Sequence, residues 1–343
     1  MLADCKVIHM HNGTHAIKTA AASVLPEGFL VGHAQDDVHA TGCTVAMCKK
    51  GAVAGVSVRG AAPATMETDL LDPRNTVDRI NAVILSGGSA FGLESVSGAR
   101  SWLSERSIGF SFAGACIPIV CGASIFDLTV GSASRFPDKE MGYAACEAAV
   151  NHLTTGNVGA GIGASVGKIL GVEFSMKGGL GCASLKLNGL VITALVVVNA
   201  VGNIYNRELN STIAGVINPT DRTSIIDPYE AFSLILQSGA TQAAVPLNTT
   251  ISCVMTNGTL TKSQANQVAD MVHDGYARSI EPVHTGFDGD TVFVLSSATL
   301  DCSPDLIGIF ATRVMEYAIH DAIYSASSAY GLISSRDFFR ALS

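Results

Sequence analysis

Apolar and polar residues alternate between two periods along this chain. GAVAGVSVRG (51–60) and RINAVILSGG (79–88) are short Val- and Ile-rich runs bounded by glycine, the pattern of strands. Phe91 to Arg106 instead brings Leu93, Val96, Trp102 and Leu103 into helical register, and GYAACEAAVNHL (142–153) reads as a second helix. After the glycine-dense GNVGAGIGASVGK (156–168), residues 170–206 hold two or three long strands near the middle of a sheet. The stretch 203–248 is the weakest apolar region and reads as an exposed loop, with Pro219, Pro228 and Pro246 as turn formers. Beyond it the pattern sharpens. ISCVMTN (251–257) is a strand, and Thr261 with Gln264 forms a capping box that opens a helix running to about Ile280. That helix has an apolar face of Ala265, Val268, Ala269, Val272 and Tyr276. TVFVLSS (291–297) is another strand, and Ser303-Pro304-Asp305 starts a helix to about Ser325 with proline in its first turn. Strands with helices segregated to the outside predict an α+β layered sandwich.

Composition narrows the classes. Charged residues are 15% of the 343, against a usual ~25%, while 35 glycines exceed the usual share of ~7%. Such a chain packs backbone closely and is short of polar cover, which favours self-association. A net charge of −8 with no basic patch argues against nucleic acid. No apolar run is long enough to span a bilayer, and MLADCKVIHMHNGTH lacks the pattern of an export signal. The nine cysteines are scattered singly without a CxxC pair, so neither a zinc site nor a disulfide framework is expected, and the reading is cytoplasmic.

Three stretches invite chemistry. In PLNTTISCVMTNGTL (246–260), Thr249 and Thr250 open a strand, an ordinary place for β-branched residues. If the Asn248–Thr249 bond were cut, Thr249 would carry a hydroxyl and an α-amine on one residue. An α-amine has a pKa of about 7.7–8.0 and serves as a general base at neutral pH. NAVILSGGSAFGL (81–93) resembles a nucleophile elbow around Ser89, but Phe91 stands where the second glycine of G-x-S-x-G belongs, so a structural helix start is favoured. GNVGAGIGAS follows a helix rather than a strand and lacks GxxxxGK[ST]; close backbone packing or an oxyanion-type turn fits it better than a nucleotide. The nine histidines, His9, His11 and His15 among them, do not cluster as metal ligands, and no cofactor is expected.

Taken together, EGFLVGHAQDDVHATGCTVAM, AGVSVRGAAPATMETDLLDP, VILSGGSAFGLESVSGARSWL, GYAACEAA, GNVGAGIGASVGK, MKGGLGCASL, ALVVVNAVGN, NTTISCVMTN and FDGDTVF resemble the P1 family of peptidases. This self-processing group contains the D-aminopeptidase/esterase, β-peptidyl aminopeptidases and nylon-oligomer hydrolases. The resemblance spans about residues 27 to 325 in linear order and leaves the first 26 outside. It implies a four-layer α/β-β/α sandwich similar to N-terminal-nucleophile hydrolases with different connectivity. It also implies one domain, 1–343, cleaved by itself into 1–248 and 249–343, usually as a tetramer of processed units. Thr249 then matches the nucleophile after Asn248, and Asn199 in VVVNAVG matches an oxyanion-binding asparagine. Asp288 and Asp290 fall on the acidic FDGD positions, while Lys168, with Lys177 second, matches a lysine that steadies the nucleophile. The substrate implied is a small peptide or amide with a free amino terminus, taken through an acyl-threonine. Two other outcomes stay open: acyl transfer of the ornithine-acetyltransferase kind, and an unprocessed, non-catalytic fold. The chain departs from the pattern at Ala61, Ala64 and Met66, where many relatives carry two glycines and an arginine. Ser124 in SIFDL stands near a tyrosine used elsewhere.

Overall fold

The computed structural model describes residues 23–239 and 248–342, with the backbone of Lys18–Thr19. Its strands join one ten-stranded mixed sheet and three small ribbons. The strands that build the core are β1 (Phe29–Asp36), β2 (Thr41–Val58), β3 (Arg79–Ser86), β4 (Val120–Ser124), β5 (Gly179–Leu187), β6 (Leu190–Asn199), β7 (Thr249–Gly258) and β8 (Thr291–Leu300). The principal helices are α1 (Ser95–Glu105), α2 (Lys139–Glu147), α3 (Pro228–Gln237), α4 (Lys262–Ser279) and α5 (Pro304–Tyr324).

Alternation along the strands shows how one hydrogen-bonded sheet yields four layers. Successive strand residues face opposite sides. In β2 and β3, Cys43, Val45, Met47, Ala82 and Ile84 join α1 and α2 in one core, with Val96, Ala99, Trp102 and Leu103. Their neighbours Ala46, Cys48, Val83 and Leu85 turn the other way. They meet Leu195, Val197, Ile251, Cys253, Met255, Phe293 and Leu295 in a central core made only by sheet faces and loops. The alternate residues Val196, Val198, Val254, Val292 and Val294 pack under α4 and α5 in a third core. The order is therefore helices, sheet, sheet, helices. The 18-residue β2 connects the two sheet layers: its first half pairs with β1 and β3, and residues 53–58 pair with β8. Each fully buried Val, Leu, Ile or Phe contributes about 1.5–3 kcal/mol to this arrangement.

Glycine sets how closely α5 approaches the sheet. A Cβ at Gly181 would lie 2.1 Å from the Ala318 carbonyl oxygen and 2.4 Å from the Ala322 nitrogen. The capping box is formed: Gln264 N–H donates to Thr261 Oγ1 at 3.3 Å, and Thr261 N–H to Gln264 Oε1 at 2.8 Å. Three expectations need correction. Residues 203–239 are not an exposed loop, because they contain strands Asn203–Asn206 and Ser211–Ala214 and the helix α3. Ile213, Val216, Ile226 and Ala231 there are buried; each apolar segment is too short between turns for its period to show. Residues 240–247, Pro246 included, lie outside the described residues. The expected helix 91–106 divides into a turn at Ser89–Gly92 and α1, where the Gly92 carbonyl is taken by the hydroxyls of Ser86 and Ser95. The second helix, expected over 142–153, begins instead at the Asp138 cap and stops at Glu147, because Val150 turns away to bridge Val31.

Candidate active site

The centre of the molecule is a junction of strand ends. β6 ends at Asn199 and β7 begins at Thr249, and these two residues are register partners on adjacent antiparallel strands. Both are buried, as is Asn248 before them. The Asn248–Thr249 peptide is held on three sides. Asn248 N–H donates to the Phe287 carbonyl at 2.8 Å, and Gly289 N–H donates to the Asn248 carbonyl oxygen at 3.0 Å. The Thr249 hydroxyl also donates to that same carbonyl oxygen. The segment 284–290 thus lies alongside residue 248 as a parallel partner, joined by a bridge between Asn248 and Asp288.

The two FDGD carboxylates have separate surroundings. Asp288 Oδ2 accepts from Thr285 N–H at 3.0 Å and from Thr285 Oγ1 at 2.6 Å. Burial, and then the charge of Asp290, nonetheless push its pKa up to about 6, against the pull of Thr285 and of Lys168. Asp290 Oδ1 accepts from Thr250 N–H at 2.7 Å, and Oδ2 accepts from the main-chain N–H of His284 at 3.1 Å. The His284 Nδ1 lies 2.8 Å from that Oδ2.

Lys168 and Asn199 form the opposite wall. Lys168 Nζ donates to Asn199 Oδ1 at 2.7 Å and to the Asn199 carbonyl at 3.1 Å, and Ser165 N–H donates to the same Oδ1 at 3.1 Å. Asn199 Nδ2 spends one hydrogen on the Phe126 carbonyl at 3.1 Å and keeps its second. Burial lowers the Lys168 pKa to about 7, although Asp288 and Asp127 favour its charge. Lys177 is lowered to about 7 by the same cause, but its surroundings differ. It donates to the carbonyls of Gly161, Ala164 and Gly178 at 3.1, 2.9 and 3.0 Å. An ammonium has three hydrogens. Lys177 is therefore spent on bracing the glycine-rich turn, whereas Lys168 makes two bonds and retains a third hydrogen.

Asp127 is a site carboxylate that the sequence reading missed. It accepts from Gly88 N–H at 2.7 Å and from Thr41 Oγ1 at 2.9 Å, and burial pushes its pKa up to about 6. SIFDL carries no spacing signal for it; only the fold brings 127 to 41, 88 and 168. Ser89 takes a left-handed φ of 53° at the start of its turn. Among the described residues, the hydrogen bonds of the histidines go to other partners, and none reaches Ser89. His9, His11 and His15 lie outside the described residues.

Residues 26–334 match the model of Peptidase family S58. The chain belongs to that family. The S58 chain is 37% identical over 325 residues to an uncharacterized aminopeptidase of Mycobacterium leprae (strain TN), covering 85% of each. It is 35% identical over 280 residues to a 6-aminohexanoate-oligomer endohydrolase of Kocuria sp. (strain KY2), covering 80% of this chain and 74% of that one. Among solved structures, its fold is similar to the L-aminopeptidase D-Ala-esterase/amidase of Ochrobactrum anthropi, described as a variant of the Ntn hydrolase fold. The TM-score is 0.67 at 16% identity, over 94% of both chains. It is also similar to a Burkholderia sp. beta-aminopeptidase, with a TM-score of 0.62 at 17% identity over 93% of this chain and 92% of that one. The S58 chain is thus a hydrolase of an aminopeptidase family with the α+β fold its sequence pattern implied. No helix among its described residues is long and apolar enough to cross a membrane.

Proposed function

We propose that this S58 protein is a self-processing threonine amidohydrolase that cuts its own Asn248–Thr249 bond and then hydrolyses small peptides or amides with a free amino terminus. The observation that carries this reading is the clamp on the Asn248 carbonyl, with the Gly289 N–H at 3.0 Å and the Thr249 hydroxyl on the same oxygen. In the processing step the Thr249 Oγ1 attacks the Asn248 carbonyl carbon. Lys168, lowered to about 7 and so partly neutral, takes the hydroxyl proton. Gly289 N–H steadies the oxyanion. The C–N bond breaks, the α-amine of Thr249 leaves with a proton, and Asn248 is left as an ester on Oγ1. Water then hydrolyses that ester.

Turnover repeats the chemistry on an external carbonyl. The new α-amine takes the Oγ1 proton and passes it to the departing amine of the substrate. The acyl group stays as an ester on Thr249 Oγ1, and water then hydrolyses that ester and restores the hydroxyl. Asn199 presents its second Nδ2 hydrogen to the oxyanion, Asp288 and Asp290 orient the Thr249 amine, and Lys168 favours the anionic forms beside it. The two chains, 1–248 and 249–343, stay together because β7 remains hydrogen-bonded to β6 and β8 to β2. A homotetramer of processed units fits a surface with exposed Phe110, Phe112, Tyr229 and Leu236. A cytoplasmic setting fits eight cysteines that form no disulfide among the described residues. The test is intact mass spectrometry combined with turnover of a panel of aminoacyl p-nitroanilides by wild type and Thr249→Ala. The wild type is expected as two fragments that turn over substrate, and the variant as one inert chain.

A further inference from the structure

We propose that His284 is a positioning residue, holding Asp290, and through it the 284–290 segment, against the Asn248–Thr249 peptide. This rests on Thr249 as the nucleophile. Three observations converge on it. First, Asp290 is buried with a carboxylate that ties two elements together: Oδ1 takes the Thr250 N–H at 2.7 Å, and Oδ2 takes two donors from His284, at 3.1 and 2.8 Å. Without the imidazole, Oδ2 keeps one main-chain donor. A buried carboxylate with an unfilled oxygen moves to find another partner.

Second, His284 adopts a left-handed backbone, φ 57°, a conformation uncommon for residues with a Cβ. That backbone lets its N–H and its ring reach the same oxygen. Third, the ring is walled in by its neighbours. His273 stands edge-on at 4.7 Å between ring centres, and Tyr276 lies at 6.1 Å, nearly parallel. His273 is itself fixed by the Ser57 carbonyl, 3.0 Å from its Nε2, and burial lowers its pKa to about 4, so it packs as a neutral ring. The Tyr276 hydroxyl is committed to Ser252 Oγ at 2.8 Å. The His284 Nε2 is buried and has no hydrogen-bond partner among the described residues, so the polar contact of this side chain is Nδ1 on Asp290. The segment held this way carries the Phe287 carbonyl and the Gly289 N–H that grip Asn248.

The experiment compares wild type, Thr249→Ala, His284→Asn, His284→Gly and His284→Asp. Asparagine keeps a donor where Nδ1 lies and tolerates the left-handed backbone. Glycine keeps the backbone and loses the donor. Aspartate keeps the shape and replaces the donor with an acceptor. Read-outs are processing half-time by intact mass, kcat and KM on aminoacyl p-nitroanilides, and melting temperature. His284→Gly and His284→Asp should process and turn over about 30–100-fold more slowly with KM within about threefold. His284→Asn should stay within about fivefold of wild type in both. If His284→Gly does not fold, the Asn–Asp comparison decides. Glycine or aspartate variants as fast as wild type overturn the proposal, as does an asparagine variant as slow as aspartate. A wild type that never cleaves, or an active Thr249→Ala, overturns the Thr249 reading instead.

Discussion

Replacing Lys168 by methionine separates the charge in the site from its packing. Met is nearly as long, so the change removes the ammonium and its two bonds to Asn199 while leaving little cavity. Burial lowers the Lys168 pKa from 10.5 to about 7. Each tenfold change in proton affinity corresponds to about 1.4 kcal/mol, so holding the charge costs the fold up to about 5 kcal/mol near neutrality. The group is depressed in the native state, so between pH 7 and 10.5 the unfolded chain binds more protons than the folded one. Stability should therefore rise with pH across that window, by at most about 1.4 kcal/mol per pH unit for this group. Lys177, lowered to about 7 as well, adds a second slope of the same sign.

Urea unfolding from pH 7.5 to 9, done in a Thr249→Ala background to keep a single chain, should show Lys168→Met losing about half the slope. The difference accumulates to about 2 kcal/mol. In the unblocked chain, Lys168→Met should slow processing about 100-fold or more, the size of a general-base contribution. The variant should also lack the rise in rate expected of wild type as pH passes 7. Equal stability slopes in the two proteins, or unchanged processing, would refute a near-neutral Lys168 at the site.

Asp288→Asn should act with the opposite sign. Its native pKa is raised from 3.8 to about 6, so its stabilising effect is full below pH 3.8 and is lost as pH rises through 6. The asparagine variant should lose up to about 3 kcal/mol of pH dependence between pH 4 and 6, measured by urea unfolding of the uncleaved chain. Asn199→Ala should cut kcat about 100- to 1,000-fold by removing an oxyanion donor, and it also frees Lys168, so its pH limb should move. Steady-state kinetics from pH 6 to 9 would show both. Gly181→Ala, remote from the site, should destabilise by about 3 kcal/mol or lower solubility outright, because its Cβ would meet the α5 backbone at 2.1 Å. Thermal unfolding checks this.

The readable parts of the sequence were those with unbroken period and local signals. α4 was bounded by its capping box and α5 by Pro304, and β7 and β8 each carried a plain apolar run. The pair Asn199 and Thr249 came from motif likeness, and the fold places them as register partners. The first half of β2 showed no clean alternation, because a strand buried on both faces reads as a continuous apolar stretch mixed with Gly and Cys. α3 was hidden between Asn- and Pro-rich turns. Motif likeness put Lys168 ahead of Lys177, and the fold separates them by their partners, Lys168 on the side chain and carbonyl of Asn199 and Lys177 on three carbonyls. Asp127 and His284 carry no motif. Their meaning lies in contacts 86 residues away for Thr41–Asp127, and in a backbone conformation for His284.

The central claim is that one peptide bond, Asn248–Thr249, is broken by the residue that follows it. Intact mass spectrometry of purified wild type and Thr249→Ala, with N-terminal sequencing of the smaller fragment, tests this most directly. The account predicts a wild-type fragment beginning at Thr249 and a single uncut chain of about the 35.4 kDa sequence mass for the variant. A wild type that remains whole while hydrolysing aminoacyl amides, or a variant cut at the same bond, would contradict it.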